Sequence, residues 1–199
     1  MKKTTILEMN RLTVDEFHKA KKMPLIVVLD DVRSLYNVGS IFRTADAFRV
    51  KAIYLCGITA TPQVVTDSNG EIVRDCTMKA AQEIHKTALG AEDSVEWRYF
   101  KTAEEAVNTL KNDGSTVFAV EQVHGSTMLD DFKPEWAEDN NTKPYAVVLG
   151  NEVKGVHQEV VDICDGCLEI PQYGTKHSLN VSITGGIIIW HFARHYEQQ

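Results

Sequence analysis

The chain has 199 residues, of which 43% are hydrophobic and 25% charged, and a formal net charge of −7. This length fits one domain with a core that needs no disulfide or metal staple, and no apolar run approaches the roughly 20 residues that cross a bilayer. Glu8, Asn10 and Arg11 interrupt the start before a signal-peptide core can form, so a cytoplasmic, non-membrane protein is expected.

In chain order, Thr13 and Glu16 have the spacing of a capping box ahead of Phe17 and Ala20, which predicts a short helix ended by Pro24. Residues 25–29 form an unbroken, β-branched run, the pattern of a strand covered on both faces. A polar loop leads to apolar residues at helical spacing over 38–48, and 52–56 reads as the next strand. Pro62 and Ser68-Asn69-Gly70 mark turns in a mixed stretch over 57–77. A helix is expected over 78–87, a strand over 95–100, a helix over 103–111 and a strand over 116–120. An acidic loop over 121–143 precedes a strand over 145–149. A strand over 167–170 stops at Pro171, and a last helix runs from about Ser178 to Tyr196. Such alternation predicts an α/β fold, a mostly parallel sheet with helices on both faces. A short helical extension over 1–24 would precede one domain over 25–199.

The acid excess speaks against a surface that grips nucleic acid everywhere. Charge distribution matters more than its sum, however. Lys19, Lys21, Lys22, Arg33, Arg43 and Arg49 gather in the first quarter, while the acids concentrate at 92–105 and 130–139. Cys164 and Cys167 form a lone C-x-x-C without a second pair or closely spaced histidines, which disfavours a metal or redox site. They read as small residues flanking a turn at Asp165-Gly166.

Ligands of parallel sheets sit beyond the carboxyl ends of the strands. Three loops there, after Leu29, Leu149 and Ile170, are rich in Gly, Asn, Ser and charge. In the first, Asn37 stands where a helix N-cap belongs, Gly39 permits close backbone approach, and Arg43 offers a fork to a phosphate or carboxylate. In the second, Gly150-Asn151-Glu152 brings open amides and a carboxylate to the sheet edge, with no phosphate-binding glycine pattern. In the third, Ser178 is expected to cap the last helix, with Asn180 facing back toward the loop. His177 beside Ser178 raises a serine-hydrolase reading, but no G-x-S-x-G surrounds that serine. Each loop alone is an ordinary helix start or turn; their convergence points to a site.

Together the loops resemble, in order and separation, the three signature motifs of the SpoU (TrmH-type) branch of the SPOUT RNA methyltransferases. Asn37, Gly39 and Arg43 match the first motif, and Leu149-Gly150-Asn151-Glu152 the second. Ile170-Pro171, Gly174 and Ser178-Leu179-Asn180-Val181 match the third, so the resemblance covers about residues 25–195. Val153 replaces a frequent glycine, and Thr184-Gly185-Gly186 an alanine-rich stretch. Many relatives carry a separate RNA-binding domain ahead of the first strand, where this chain has about 24 residues, which leaves the substrate open.

The resemblance implies a Rossmann-like sheet with a C-terminal trefoil knot, which topology rules alone would reject. It also implies a homodimer formed through the knot and the last helix. Ile187, Ile188, Ile189, Trp190 and Phe192 make that helix apolar around most of its girth. The implied activity is metal-free transfer of a methyl group from S-adenosylmethionine to a ribose 2′-hydroxyl of RNA, with tRNA ahead of rRNA. Leu149, Gly150, Ile170 and Leu179 would hold the cofactor, with Gln172, Asn151 and Glu121 at the rim. Arg43, Asn37, Glu152, Ser178 and Asn180 would form the catalytic set. The family assigns activation of the hydroxyl to the arginine, but a guanidinium stays protonated. Arg43 is therefore expected to grip the adjacent phosphate and stabilise the developing alkoxide. Glu152 would orient it by an ion pair, while Asn37, Ser178 and Asn180 fix the ribose and loops. Three rivals remain: a non-catalytic RNA-binding or assembly factor on the same fold, a base methyltransferase on a related knot, and a small-molecule α/β enzyme. Intact Arg43, Glu152 and Asn180 speak against the first. The second should carry another acid–base residue at Arg43, and the third predicts no salt-dependent RNA binding.

Overall fold

The computed structural model describes residues 2–5, 7–136 and 143–196. After a 3-10 turn over Leu7–Met9, α1 (Val14–Lys19) opens with the expected capping box between Thr13 and Glu16. The helix stops at Lys19, with Ala20 extended as its cap, so Pro24 does not end it. Pro24 instead lies in β1 (Met23–Asp30). A proline is tolerated as the second residue of a strand, and pairing to β2 (Val50–Cys56) shifts register between Met23 and Ile26.

Between those strands runs α2 (Leu35–Ala47). A small antiparallel hairpin follows, β3 (Val65–Thr66) and β4 (Ile72–Arg74), turning at Ser68-Asn69-Gly70. Then come α3 (Met78–Ala88), the single turn α4 (Ala91–Ser94), β5 (Trp97–Phe100), α5 (Ala103–Asn112), β6 (Thr116–Val120) and β7 (Thr127–Met128). The chain closes with β8 (Tyr145–Leu149), α6 (Gln158–Ile163), β9 (Gly166–Glu169) and α7 (Val181–Arg194). The hairpin, α4, α6 and β7 are additions to the sequence reading; β7 falls inside the expected acidic loop, whose residues 137–142 lie outside the described ones.

Seven strands form one sheet in the order β5-β2-β1-β8-β6-β9-β7, every pairing parallel. This is the expected α/β class. At its centre Leu25 pairs with Tyr145 through to Leu29 with Leu149, and no residue from Leu25 to Leu29 is more than 4% exposed. Alternate residues explain why: Leu25, Val27 and Leu29 join the core with α2 and α7, while Ile26 and Val28 join the one with α5 and α6. Gly39 sets the fit of α2 on α3, since a Cβ there would lie 2.2 Å from the Ile84 carbonyl oxygen.

Candidate functional site

The carboxyl ends of β1, β8, β6 and β9 share one edge of the sheet, and the three loops meet there. At the first loop, Ser34 caps α2: its backbone is extended and its hydroxyl accepts the Asn37 N–H. Asn37 is therefore not the cap but a residue of the first turn, because Leu35 and Tyr36 are already helical. From there its side chain reaches the other two loops.

Glu152 of the second loop accepts three N–H donors. Its carboxylate takes the Arg33 and Ser34 backbone N–H groups, each at 3.0 Å, and the Asn37 side-chain amide at 3.1 Å. Partial burial pushes its pKa up, but these donors outweigh it and hold the group below the ordinary carboxylate value. An anion at the start of a helix is also stabilised by the helix dipole. The expected ion pair between Glu152 and Arg43 is absent among the described residues, because those donors occupy the carboxylate. Arg43 is exposed two turns along α2, on the side that carries Tyr36 and Ser40.

In the third loop Asn180, not Ser178, caps α7, with its side-chain oxygen accepting the Ser182 and Ile183 N–H groups at 2.9 and 3.4 Å. The helix accordingly begins at Val181 rather than Ser178. The Asn180 amide donates to Asn37 Oδ1 at 3.2 Å. A relay from Asn180 through Asn37 to Glu152 thus ties all three loops together.

The second and third loops, with the ends of β6 and β9, line a cavity of about 600 Å³, within the range typical of small-molecule sites. Glu121, Leu149, Gly150, Asn151, Glu152, Ile170, Gln172, Ser178, Leu179 and Asn180 line it; Asn37 and Arg43 do not. Apolar Leu149, Ile170 and Leu179 and the carboxylates Glu121, Glu152 and Glu169 make walls suited to an elongated, positively charged small molecule. The Asn151 side chain is committed to bracing: its amide donates to the Asp31 carbonyl at 2.8 Å, and its oxygen accepts the Val153 N–H at 2.9 Å. Its backbone is paired as well, with N–H and C=O each bonded to Gly155 at 2.9 Å, so Asn151 shapes the loop.

Sequence reasoning missed the pair beneath the first two loops. The carboxylate of Asp30, 3% exposed, accepts the His157 N–H at 3.0 Å and lies 2.9 Å from its Nδ1. Burial pushes the Asp30 carboxyl up, and the hydrogen bond to Asp30 pushes the His157 imidazole up. Asp31 stands 3.8 Å from the other ring nitrogen while accepting the Ile58 N–H at 2.8 Å. A sequence separation of 127 between Asp30 and His157 leaves no local signal. At the opposite sheet end, burial raises the Cys167 thiol and pushes Cys164 up to about 12, the direction that lowers thiol reactivity.

Known proteins place this geometry. The SpoU rRNA Methylase family matches residues 63–190. The tRNA (guanosine(18)-2′-O)-methyltransferase of Aquifex aeolicus (strain VF5) is 30% identical over 197 residues, covering 98% of this chain and 80% of that protein. A crystal structure of the A. aeolicus TrmH/SpoU tRNA modifying enzyme superposes with a TM-score of 0.66 at 27% identity, over 92% of this chain and 79% of that one. The AdoMet-bound rRNA methyltransferase of Sinorhizobium meliloti shares the fold, with a TM-score of 0.67 at 24% identity; the match covers 88% of this chain and 61% of that one.

Proposed function

The chain belongs to the SpoU methylase family, and from that premise we propose that it transfers a methyl group from S-adenosylmethionine to a ribose 2′-hydroxyl of tRNA. The observation that carries this is the Asn180–Asn37–Glu152 relay, which knits three distant loops around one cavity. Comparing 2′-O-methylation maps of RNA from cells with and without the gene tests it. Loss of one methylated tRNA ribose is expected, and unchanged maps would refute it.

The cavity fits the cofactor: its size, apolar walls and carboxylates suit a small cation, and Leu149, Gly150, Ile170 and Leu179 line it. Gln172 and Glu121 stand at its rim, and Asn151 braces the second loop beneath it. When bound, S-adenosylmethionine supplies a methyl carbon on a sulfonium, which departs as a neutral thioether.

The chain's residues do the rest. Glu152, ionised and fully engaged, fixes the start of α2 and through Asn37 the start of α7. Arg43, held by no partner within the chain's described residues, is free to take the phosphate beside the reacting ribose and to stabilise the developing alkoxide as the hydroxyl proton passes to solvent water. Exposed Ser178 positions the ribose. Asn180 caps α7 and so holds Ser178 at the cavity wall.

Two further family features belong to this reading. A homodimer is supported by the outer face of α7, where Ile183 and Trp190 are each 56% exposed, and by Tyr36 of α2 at 50%. A C-terminal trefoil knot is supported by the path of the chain: it leaves β9 beyond β6, then returns to pack α7 on α2 and β8.

A further inference from the structure

The cavity has a third wall that belongs to none of the three matched loops. β6 lies between β8 and β9 in the sheet, so its carboxyl end is flanked by the strands that feed the second and third loops. Two successive residues there, Glu121 and Gln122, reach one loop each. The Glu121 carboxylate accepts the Val156 N–H at 3.1 Å and the Gln122 N–H at 2.9 Å. It fills the space over Gly155, where the backbone has φ +71° and a Cβ would lie 2.1 Å from Glu121 Oε2. The Gln122 amide donates to the His177 carbonyl at 3.0 Å, immediately before Ser178. The Glu121 N–H meanwhile bonds the Leu168 carbonyl, which anchors the dipeptide to β9.

We propose that Glu121 and Gln122 act as a positioning clamp that sets the separation of the second and third loops, and with it the fit of the cavity to S-adenosylmethionine. The clamp rests on the methyltransferase reading. Each oxygen of the Glu121 carboxylate takes one backbone N–H, Val156 of the second loop on Oε2 and its neighbour Gln122 on Oε1, so its role is to hold that loop against the end of β6. Gln122 is exposed and contributes nothing to the core, so its removal separates positioning from folding. The third loop, exposed from Tyr173 to Asn180, has few other anchors of this kind.

The test uses Gln122→Met, which keeps the shape without the donor, and Gln122→Lys, which restores a donor of similar reach. S-adenosylmethionine affinity is measured by titration calorimetry, and steady-state constants are measured with tRNA. The Met variant is expected to raise Kd and KM for S-adenosylmethionine about fivefold, the worth of one hydrogen bond. Its kcat, its KM for RNA and its unliganded melting temperature should stay at wild-type values, and the Lys variant should recover most of the affinity. Wild-type affinity in the Met variant, or equal losses in kcat and in both KM values, would overturn the clamp while leaving the methyltransferase reading intact. A wild-type chain that binds no S-adenosylmethionine would overturn both.

Discussion

The cavity and the outer face of α2 and α7 are neighbours built on opposite principles. Around the cavity the polar groups that join the loops are paired: Glu152 takes three N–H donors, Asn180 caps a helix and bonds Asn37, and Glu121 takes two N–H groups. On the outer face, Tyr36, Ile183 and Trp190 are half exposed or more, and Arg43 projects without an ion pair among the described residues. Only Trp190 finds an aromatic neighbour there, meeting Phe48 edge to face at 5.7 Å. The difference teaches that one chain preorganises the cofactor side of the reaction, while the RNA side stays open until other molecules meet it. Preorganised donors cost nothing to arrange at the moment of reaction, whereas Arg43 must be ordered by substrate or by a second chain.

Breaking the open side should give the largest effect. Arg43→Ala is expected to lower single-turnover methylation by about 10²–10³, the usual cost of losing a positioned charge stabiliser. S-adenosylmethionine affinity by calorimetry should stay at the wild-type value. Trp190→Asp places a charge on the apolar face of α7. Light scattering should show a dimer for the parent and a monomer for the variant, and turnover should fall by about tenfold, as for loss of an interface anchor.

The preorganised side should respond differently, through stability and cofactor affinity. Gly155→Ala forces a Cβ into the space of Glu121 at a positive φ, so urea unfolding should show a loss of about 1–3 kcal/mol. S-adenosylmethionine binding should weaken along with it. The smallest effect concerns pH. Because Asp30 raises the His157 pKa, the latch between them is fully present below the ordinary value of 6.5. It is lost as pH rises through the higher folded value. Stability should therefore decline above about pH 6.5, and His157→Gln should flatten that slope in urea titrations at several pH values.

The sheet's central strands were legible because residues buried on both faces must be apolar without interruption; β6 and β8 match their expected ranges. Their order was not, since pairing β1 with β8 is decided across more than a hundred residues. The hairpin β3–β4 and the strand β7, with only two or three residues apiece, carry too little pattern to read. At the site, the residues were found by their motifs but several jobs were misassigned locally. Ser34 and Asn37 are both good cap residues, as are Ser178 and Asn180, and backbone geometry decides between them. The hydrogen bonds that divert Glu152 from Arg43 come from backbone groups more than a hundred residues away. Gln122 had no motif at all, since its role follows only from the place of β6 between β8 and β9.

The central claim is that this cavity and Arg43 together methylate ribose. The direct measurement incubates the purified chain with tRNA and S-adenosylmethionine carrying a labelled methyl group, then digests the RNA to nucleosides for mass spectrometry. The account predicts label in one 2′-O-methylated nucleoside for the wild-type chain, and a rate of labelling about 10²–10³ lower for an Arg43→Ala variant that still binds the cofactor. Label on a base, or undiminished ribose methylation by Arg43→Ala, would contradict it.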